Sequence, residues 1–176
     1  MSEHRGIKEQ KRIGAGMQAM AWVIFLLLGV FFFSDVLERQ FNPNPNPRTQ
    51  AGDGGVREVV LQRNRQGHYV TAGQINGREV TFLLDTGATG VAIPEAIARD
   101  LGLQRGRAYR TQTANGLSTS YATRLHKVSI GDISLGNVDA GIATGLNMDA
   151  ILLGMSFLKH IEFTQRGNTL ILRQYP

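Results

Sequence analysis

The 176-residue chain contains no cysteine, which excludes a disulfide framework, a thiolate zinc site, an iron–sulfur cluster and a cysteine nucleophile. Histidine is scarce as well. His4, His68, His126 and His160 have no HExxH spacing, which argues against a metal hydrolase. Aromatic residues make up 7% of the chain and are poorly interleaved with its dispersed basic residues, so no nucleic-acid surface is expected. The 21 glycines lack a triplet period, which excludes a collagen, and a hydrophobic fraction of 42% is too high for a disordered tail.

The apolar residues are unevenly spread. Residues 14–33, GAGMQAMAWVIFLLLGVFFF, carry no charge, and Gln18 is their only polar side chain. Such a length matches the apolar thickness of a bilayer. A cleaved signal peptide is the competing reading, but its apolar core is shorter and ends in a small-x-small site, whereas Phe31 to Val36 offer none. An uncleaved anchor is therefore expected over residues 14–33, behind a cytoplasmic amino terminus, residues 1–13. Arg5, Lys8, Lys11 and Arg12 precede the span, and only Arg39 and Arg48 follow it closely. Basic flanks stay inside, which places the rest of the chain outside the plasma membrane, in the periplasm of a Gram-negative cell.

Residues 34–56 read as a linker. Its Asn-Pro steps, FNPNPNP, hold three of the chain's five prolines and predict a semi-rigid extended spacer, and the Gly-rich stretch AGDGG predicts flexibility. Residues 57–176 remain as the globular domain, with 13 basic and 9 acidic side chains. This small basic excess suits weak attraction to an anionic membrane face.

Strand signals dominate this domain. His68 to Ile75 and Arg78 to Leu84 flank Asn76-Gly77, a pair suited to a type I′ hairpin turn. A second Asn-Gly, Asn115-Gly116, lies between segments that are polar on both faces, which predicts a hairpin projecting from the core. Further short strands are expected at 124–130, 133–135, 138–142, 161–164 and 169–172. One helix is expected over Pro94 to Leu101 with Gly102 as its stop, and a second after Gly154.

Two motif-like stretches carry no chemistry. Gly14, Gly16 and Ala19 fit a dinucleotide fingerprint by spacing but open the apolar span and follow no strand. Gly154-Met155-Ser156 lacks the second glycine of a nucleophile elbow. What remains is Asp85-Thr86-Gly87, directly after Phe82-Leu83-Leu84. A carboxylate at the end of an apolar run is costly unless it is hydrogen-bonded or its proton affinity is altered. By itself the tripeptide is also what a turn after a buried strand would look like.

Its surroundings decide the matter. The apolar run into Asp85-Thr86-Gly87-Ala88, the hairpin about Asn115-Gly116, and Ile151-Leu152-Leu153-Gly154 followed by Met155 to Leu158 stand in the order and approximate spacing of the retropepsin-like aspartic proteases. The resemblance covers nearly all of residues 67–172 and is greatest to the single-DTG, membrane-anchored bacterial group. It implies an all-β fold, a closed retropepsin-like barrel with a flap hairpin and one or two short helices, here preceded by one transmembrane helix. It implies an aspartic endopeptidase acting on polypeptides without a metal or organic cofactor. Because the chain offers one DTG, the resemblance implies a homodimer whose catalytic dyad is Asp85 from each protomer. Thr86 would brace the pair, Gly87 would let backbone approach substrate, and Ala88 would lie beside the cleft. Ala114, Asn115 and Gly116 would form a substrate-binding flap tip, and Gly154 would allow close passage of two chain segments. The terminal strands are candidates for part of the dimer seam. Two other readings stay open from sequence: an inactive peptide-binding or scaffolding domain, and an envelope protein that binds polysaccharide through its basic surface.

Overall fold

A computed structural model describes residues 3–113 and 116–176. The uncharged run lies inside one helix, α1, spanning Glu3–Phe41. Its stretch Gly16–Phe41 is long and apolar enough to cross a membrane. Trp22, Phe31, Phe32 and Phe33 are 59–74% exposed. A helix satisfies its backbone polar groups internally, so an uncovered apolar helix of this length is suited to lipid. The chain divides into two units after Arg39, and the second comprises Gln40–Pro176.

That second unit is mostly β. A four-stranded antiparallel sheet is ordered β1-β2-β11-β10, from β1 (Thr49–Ala51), β2 (Arg57–Gln62), β10 (Glu162–Arg166) and β11 (Thr169–Gln174). A seven-stranded sheet is ordered β3-β4-β9-β5-β8-β7-β6. Its members are β3 (Tyr69–Ile75), β4 (Arg78–Leu84), β5 (Val91–Pro94), β6 (Ala108–Thr113), β7 (Gly116–Ile130), β8 (Ile133–Ala143) and β9 (Ile151–Leu153). β3 also pairs with β7 through Gln74↔Ser129 and Ile75↔Val128, so the large sheet curls back on itself as a barrel with a short seam. Phe82, Ile93, Leu125, Ile151 and Phe157 fill its interior with no exposed surface. Burying such side chains contributes roughly 1.5–3 kcal/mol each before chain entropy is counted.

The local signals of the sequence fall where the chain turns. Asn76 and Gly77 have φ of 53° and 82°, as a type I′ turn requires, and join β3 to β4. The first short helix, α2, is Glu95–Asp100, with Pro94 at its N-cap, one position outside the expected start. Gly102, at φ 69°, follows its end. The second, α3, is Met155–Leu158. The projecting hairpin is formed by β6 and β7, paired from Ala108↔Tyr121 to Thr113↔Gly116. The expected strands at 124–130 and 138–142 are parts of the longer β7 and β8.

The Asn-Pro segment, expected as a spacer, is packed into the folded unit. Asn42 and Asn44 are only 9% and 8% exposed, and Asn44 forms a parallel bridge with Thr71 of β3. The following stretch forms β1 and pairs with β2. Sequence pattern points to a solvated spacer here because these residues are polar. Their burial is stable because backbone groups of β2 and β3 satisfy the Asn44 carboxamide and Asn44 N–H satisfies the Asn42 Oδ1.

Candidate active site

The candidate site grows from the end of β4. Along this strand Phe82 turns into the core, while Leu83 and Leu84 are half-buried and Asp85 follows at the strand's exit. β4 lies between β3 and β9, with Leu84 opposite both Tyr69 and Leu153. The backbone N–H of Asp85 continues this pairing by donating to the Leu153 carbonyl at 3.2 Å. The aspartate is thus fixed at the edge of a hydrogen-bonded sheet.

Beyond it the chain folds back in a short loop. Gly87 N–H donates to Asp85 Oδ1 at 2.8 Å, and Ala88 N–H donates to the Asp85 carbonyl at 3.2 Å. A Cβ on residue 87 would stand 3.1 Å from Oδ1, so glycine leaves that carboxylate oxygen room. Among the described residues, Asp85 Oδ2 and the Thr86 hydroxyl take no hydrogen bond within their own chain. Asp85 is half-buried and Thr86 and Gly87 are exposed. The loop therefore holds a half-buried, backbone-anchored carboxylate next to an exposed threonine.

The segment after β9 supports this loop from below. Met155 N–H donates to the Ala88 carbonyl at 2.8 Å. Gly154 is buried, and a Cβ there would collide with the carbonyl oxygens of Gly90 and Ala88. Ser156 is not a nucleophile but a tie. Its Oγ accepts from Val91 N–H at 3.0 Å and donates to the Asp139 carbonyl at 2.9 Å. No sequence pattern marks Ser156 for this role, because its partners lie 65 and 17 positions away.

Strand register also builds an apolar floor. Val70, Leu83, Leu152 and Ala92 occupy successive strands in one row. Phe82 and Ile151 point to the opposite, core face. Leu83, Leu152 and Ala92 keep part of their surface open. The Tyr109 ring of β6 comes over this sheet, its hydroxyl standing where a Gly141 side chain would be. These are contacts suited to an extended chain carrying apolar side chains.

The flap residues are partly described. Gly116 opens β7 opposite Thr113 with φ 104°, whereas Ala114 and Asn115 lie outside the described residues. Arg105 secures the root of this hairpin. Its guanidinium pairs with Glu95 of α2 and lies 4.9 Å from the centre of the Tyr121 ring. Among the described residues no group of three or more His, Cys, Asp or Glu side chains converges to hold a metal. A polar cleft of about 670 Å³, lined by Arg57, Gln74, Lys127 and Asp132 among others, contains none of the candidate residues.

Known proteins give this geometry a context. Residues 71–160 match the family model described as gag-polyprotein putative aspartyl protease. An uncharacterized protein in the cobV 5′ region of Sinorhizobium sp is 32% identical over 95% of this chain and 77% of its own length. An uncharacterized protein of Rickettsia prowazekii is 29% identical over 68% of this chain and 52% of its own. The crystal structure of a retropepsin-like aspartic protease from Rickettsia conorii superimposes with a TM-score of 0.56. It is 27% identical, and the match covers 73% of this chain and 95% of that one.

Proposed function

The chain belongs to the gag-polyprotein aspartyl protease family and is a retropepsin-like aspartic endopeptidase, and from that premise we propose that it works as a membrane-anchored homodimer. The observation that carries this reading is the single Asp85 carboxylate, held at the exit of β4 with one oxygen on Gly87 N–H and the other unengaged. Peptide hydrolysis by aspartates needs two carboxylates sharing one proton, one taking a proton from water and the other donating to the substrate carbonyl oxygen. The other eight acidic side chains of residues 57–176 have no following Thr/Ser-Gly. The second carboxylate is Asp85 of another copy, across a two-fold axis.

In this arrangement Thr86 braces the pair by hydrogen bonds across the axis. Gly87 lets water and substrate approach, and Ala88 borders the cleft. Ala114, Asn115 and Gly116 close over an extended polypeptide and exclude water. The helix over residues 14–33 anchors each chain with its amino terminus in the cytoplasm and its protease domain outside the membrane. Confinement to one membrane raises the effective concentration of each protomer for the other.

The test uses the full chain in phospholipid vesicles, with a mixed peptide library as substrate. Parent protein should cleave with a bell-shaped pH profile on the acidic side, because the pair works only when singly protonated. Asp85→Asn should fold and be inactive. At constant total chain, replacing half of the parent with Asp85→Asn should leave about a quarter of the all-parent activity, the random fraction of two-aspartate pairs. Retention of half would mean that each chain acts alone and would overturn the dimer. Since the chain has no native cysteine, Ser2→Cys and Gln165→Cys variants can report orientation in cells through an impermeant thiol reagent. Labelling of the first and protection of the second would reverse the proposed topology.

A further inference from the structure

We infer that Asn44, in the strap between α1 and β1, is a positioning residue for proteolysis; the inference rests on the reading of Asp85 as the catalyst. The three Asn-Pro steps look equivalent in sequence but behave differently. Asn46 is exposed and makes no hydrogen bond among the described residues. Asn42 Oδ1 accepts from Asn44 N–H at 2.9 Å. Every polar group of Asn44 is engaged. Its Oδ1 accepts from Gln62 N–H at 2.7 Å, and its Nδ2 donates to the carbonyls of Gln62 at 2.9 Å and Val70 at 2.7 Å. Its own carbonyl accepts from Ala72 N–H at 3.0 Å and from the Thr71 hydroxyl at 3.2 Å.

The chemistry selects this residue type. A carboxamide offers a donor and an acceptor side by side, as a peptide group does, so Asn44 completes the end of β2 and the edge of β3 together. Pro43 and Pro45 lack N–H groups, and the pairing with β3 is a bridge at one residue. That bridge occupies the part of the β3 edge that β7, paired only at Gln74 and Ile75, leaves open.

The edge of β3 is one strand from the catalytic aspartate. Val70 and Thr71, which Asn44 holds, pair with Leu83 and Phe82, and Tyr69 pairs with Leu84 immediately before Asp85. A contiguous ladder therefore runs from the strap through β3 and β4 to the carboxylate. The strap is also tied at its start, where Asn64 Nδ2 donates to the Phe41 carbonyl at 3.0 Å. It lies outside residues 71–160, the segment that carries the family match. The protease is thus fully organised only while the segment leading to its own anchor is docked.

The experiment compares full-length parent, Asn44→Asp, Asn42→Ala, Asn46→Asp and Asp85→Asn in vesicles, with the mixed peptide library, well below each variant's unfolding temperature. Asn44→Asp keeps the shape but, when ionised, cannot donate to the Gln62 and Val70 carbonyls. Its kcat relative to parent at the same pH should be about tenfold lower above the carboxylate range, with KM within about twofold. The ratio should recover on acidification, as the new carboxyl regains a donor. Hydrogen exchange should accelerate at residues 69–72 and 82–87 and recover over the same pH range. Asn42→Ala, a milder change, should shift both readouts in the same direction, and Asn46→Asp should match the parent. If kcat per folded chain equals the parent's in both Asn44→Asp and Asn42→Ala, or falls in Asn44→Asp with no pH recovery and no local exchange change, Asn44 is structural only and the inference fails. An active Asp85→Asn variant would instead remove the reading of Asp85 on which it rests.

Discussion

Gly154 passes so close beneath Ala88 that a methyl group added to it would lie 2.5 Å from the Ala88 carbonyl oxygen. The next residue converts this proximity into a bond, Met155 N–H to that same carbonyl at 2.8 Å. The loop that carries Asp85, with its exposed tip, is thereby held by the backbone that follows β9, about seventy residues downstream.

Gly154→Ala should therefore damage both stability and catalysis. Backbone is the obstructing neighbour, so relief requires the loop or β9 to move. A loss of about 2–4 kcal/mol is expected by urea denaturation, with kcat falling and KM changing less. A variant of parental stability would show that the loop yields freely.

Ser156→Ala tests the adjacent tie. It leaves Val91 N–H without its partner, at an expected cost of about 1–3 kcal/mol. Peptidase activity should be reduced but measurable per folded chain. Complete loss of turnover in a stable variant would give this hydroxyl a direct chemical role and contradict its position as a tie.

The amino-terminal boundary of the folded unit is a third test. A chain starting at Arg57 lacks β1 and the Asn44 hydrogen bonds, whereas one starting at Gln40 keeps them. The shorter chain should be less stable by at least about 2 kcal/mol. Equal urea midpoints and slopes for the two would show that strap docking adds nothing to stability.

The last strands give a pH prediction. Hydrogen bonds from Tyr175, then from Arg173, hold the Glu162 carboxyl below its ordinary range, and the same contact with Glu162 pushes the Tyr175 phenol up. Because the Glu162 value is depressed on folding, its contribution is present above the ordinary carboxylate range and is lost as pH falls through the lower folded value. The Tyr175 contribution has the opposite sense. It is present below the ordinary phenol value and lost as pH rises through the raised one. In Tyr175→Phe, the Glu162 titration followed by NMR should move toward the ordinary value; an unmoved curve would remove Tyr175 as the principal cause.

Much of the architecture is legible in short stretches of sequence. An uncharged run marks the middle of α1, Asn76-Gly77 sets a turn by its tolerance of positive φ, and Gly102 stops α2. Asp85-Thr86-Gly87, with the order of segments around it, points to the family that the comparisons show. These signals are local: backbone preference and hydropathy act within a few residues of one another, so the sequence alone determines them.

Other features were decided only by tertiary structure. The three-residue β9 is inserted between β4 and β5, too short to carry a period of its own. Ser156 reads as a lookalike nucleophile until Val91 and Asp139 arrive on either side of it. Asn44 reads as one repeat of a spacer until β2 and β3 present backbone groups that its carboxamide satisfies. A buried polar group is tolerated only when its partners are in place, and those partners come from distant parts of the chain. The Asp-Thr-Gly tripeptide is thus legible in the sequence, whereas the backbone bonds that support its loop and seat the strap depend on the fold.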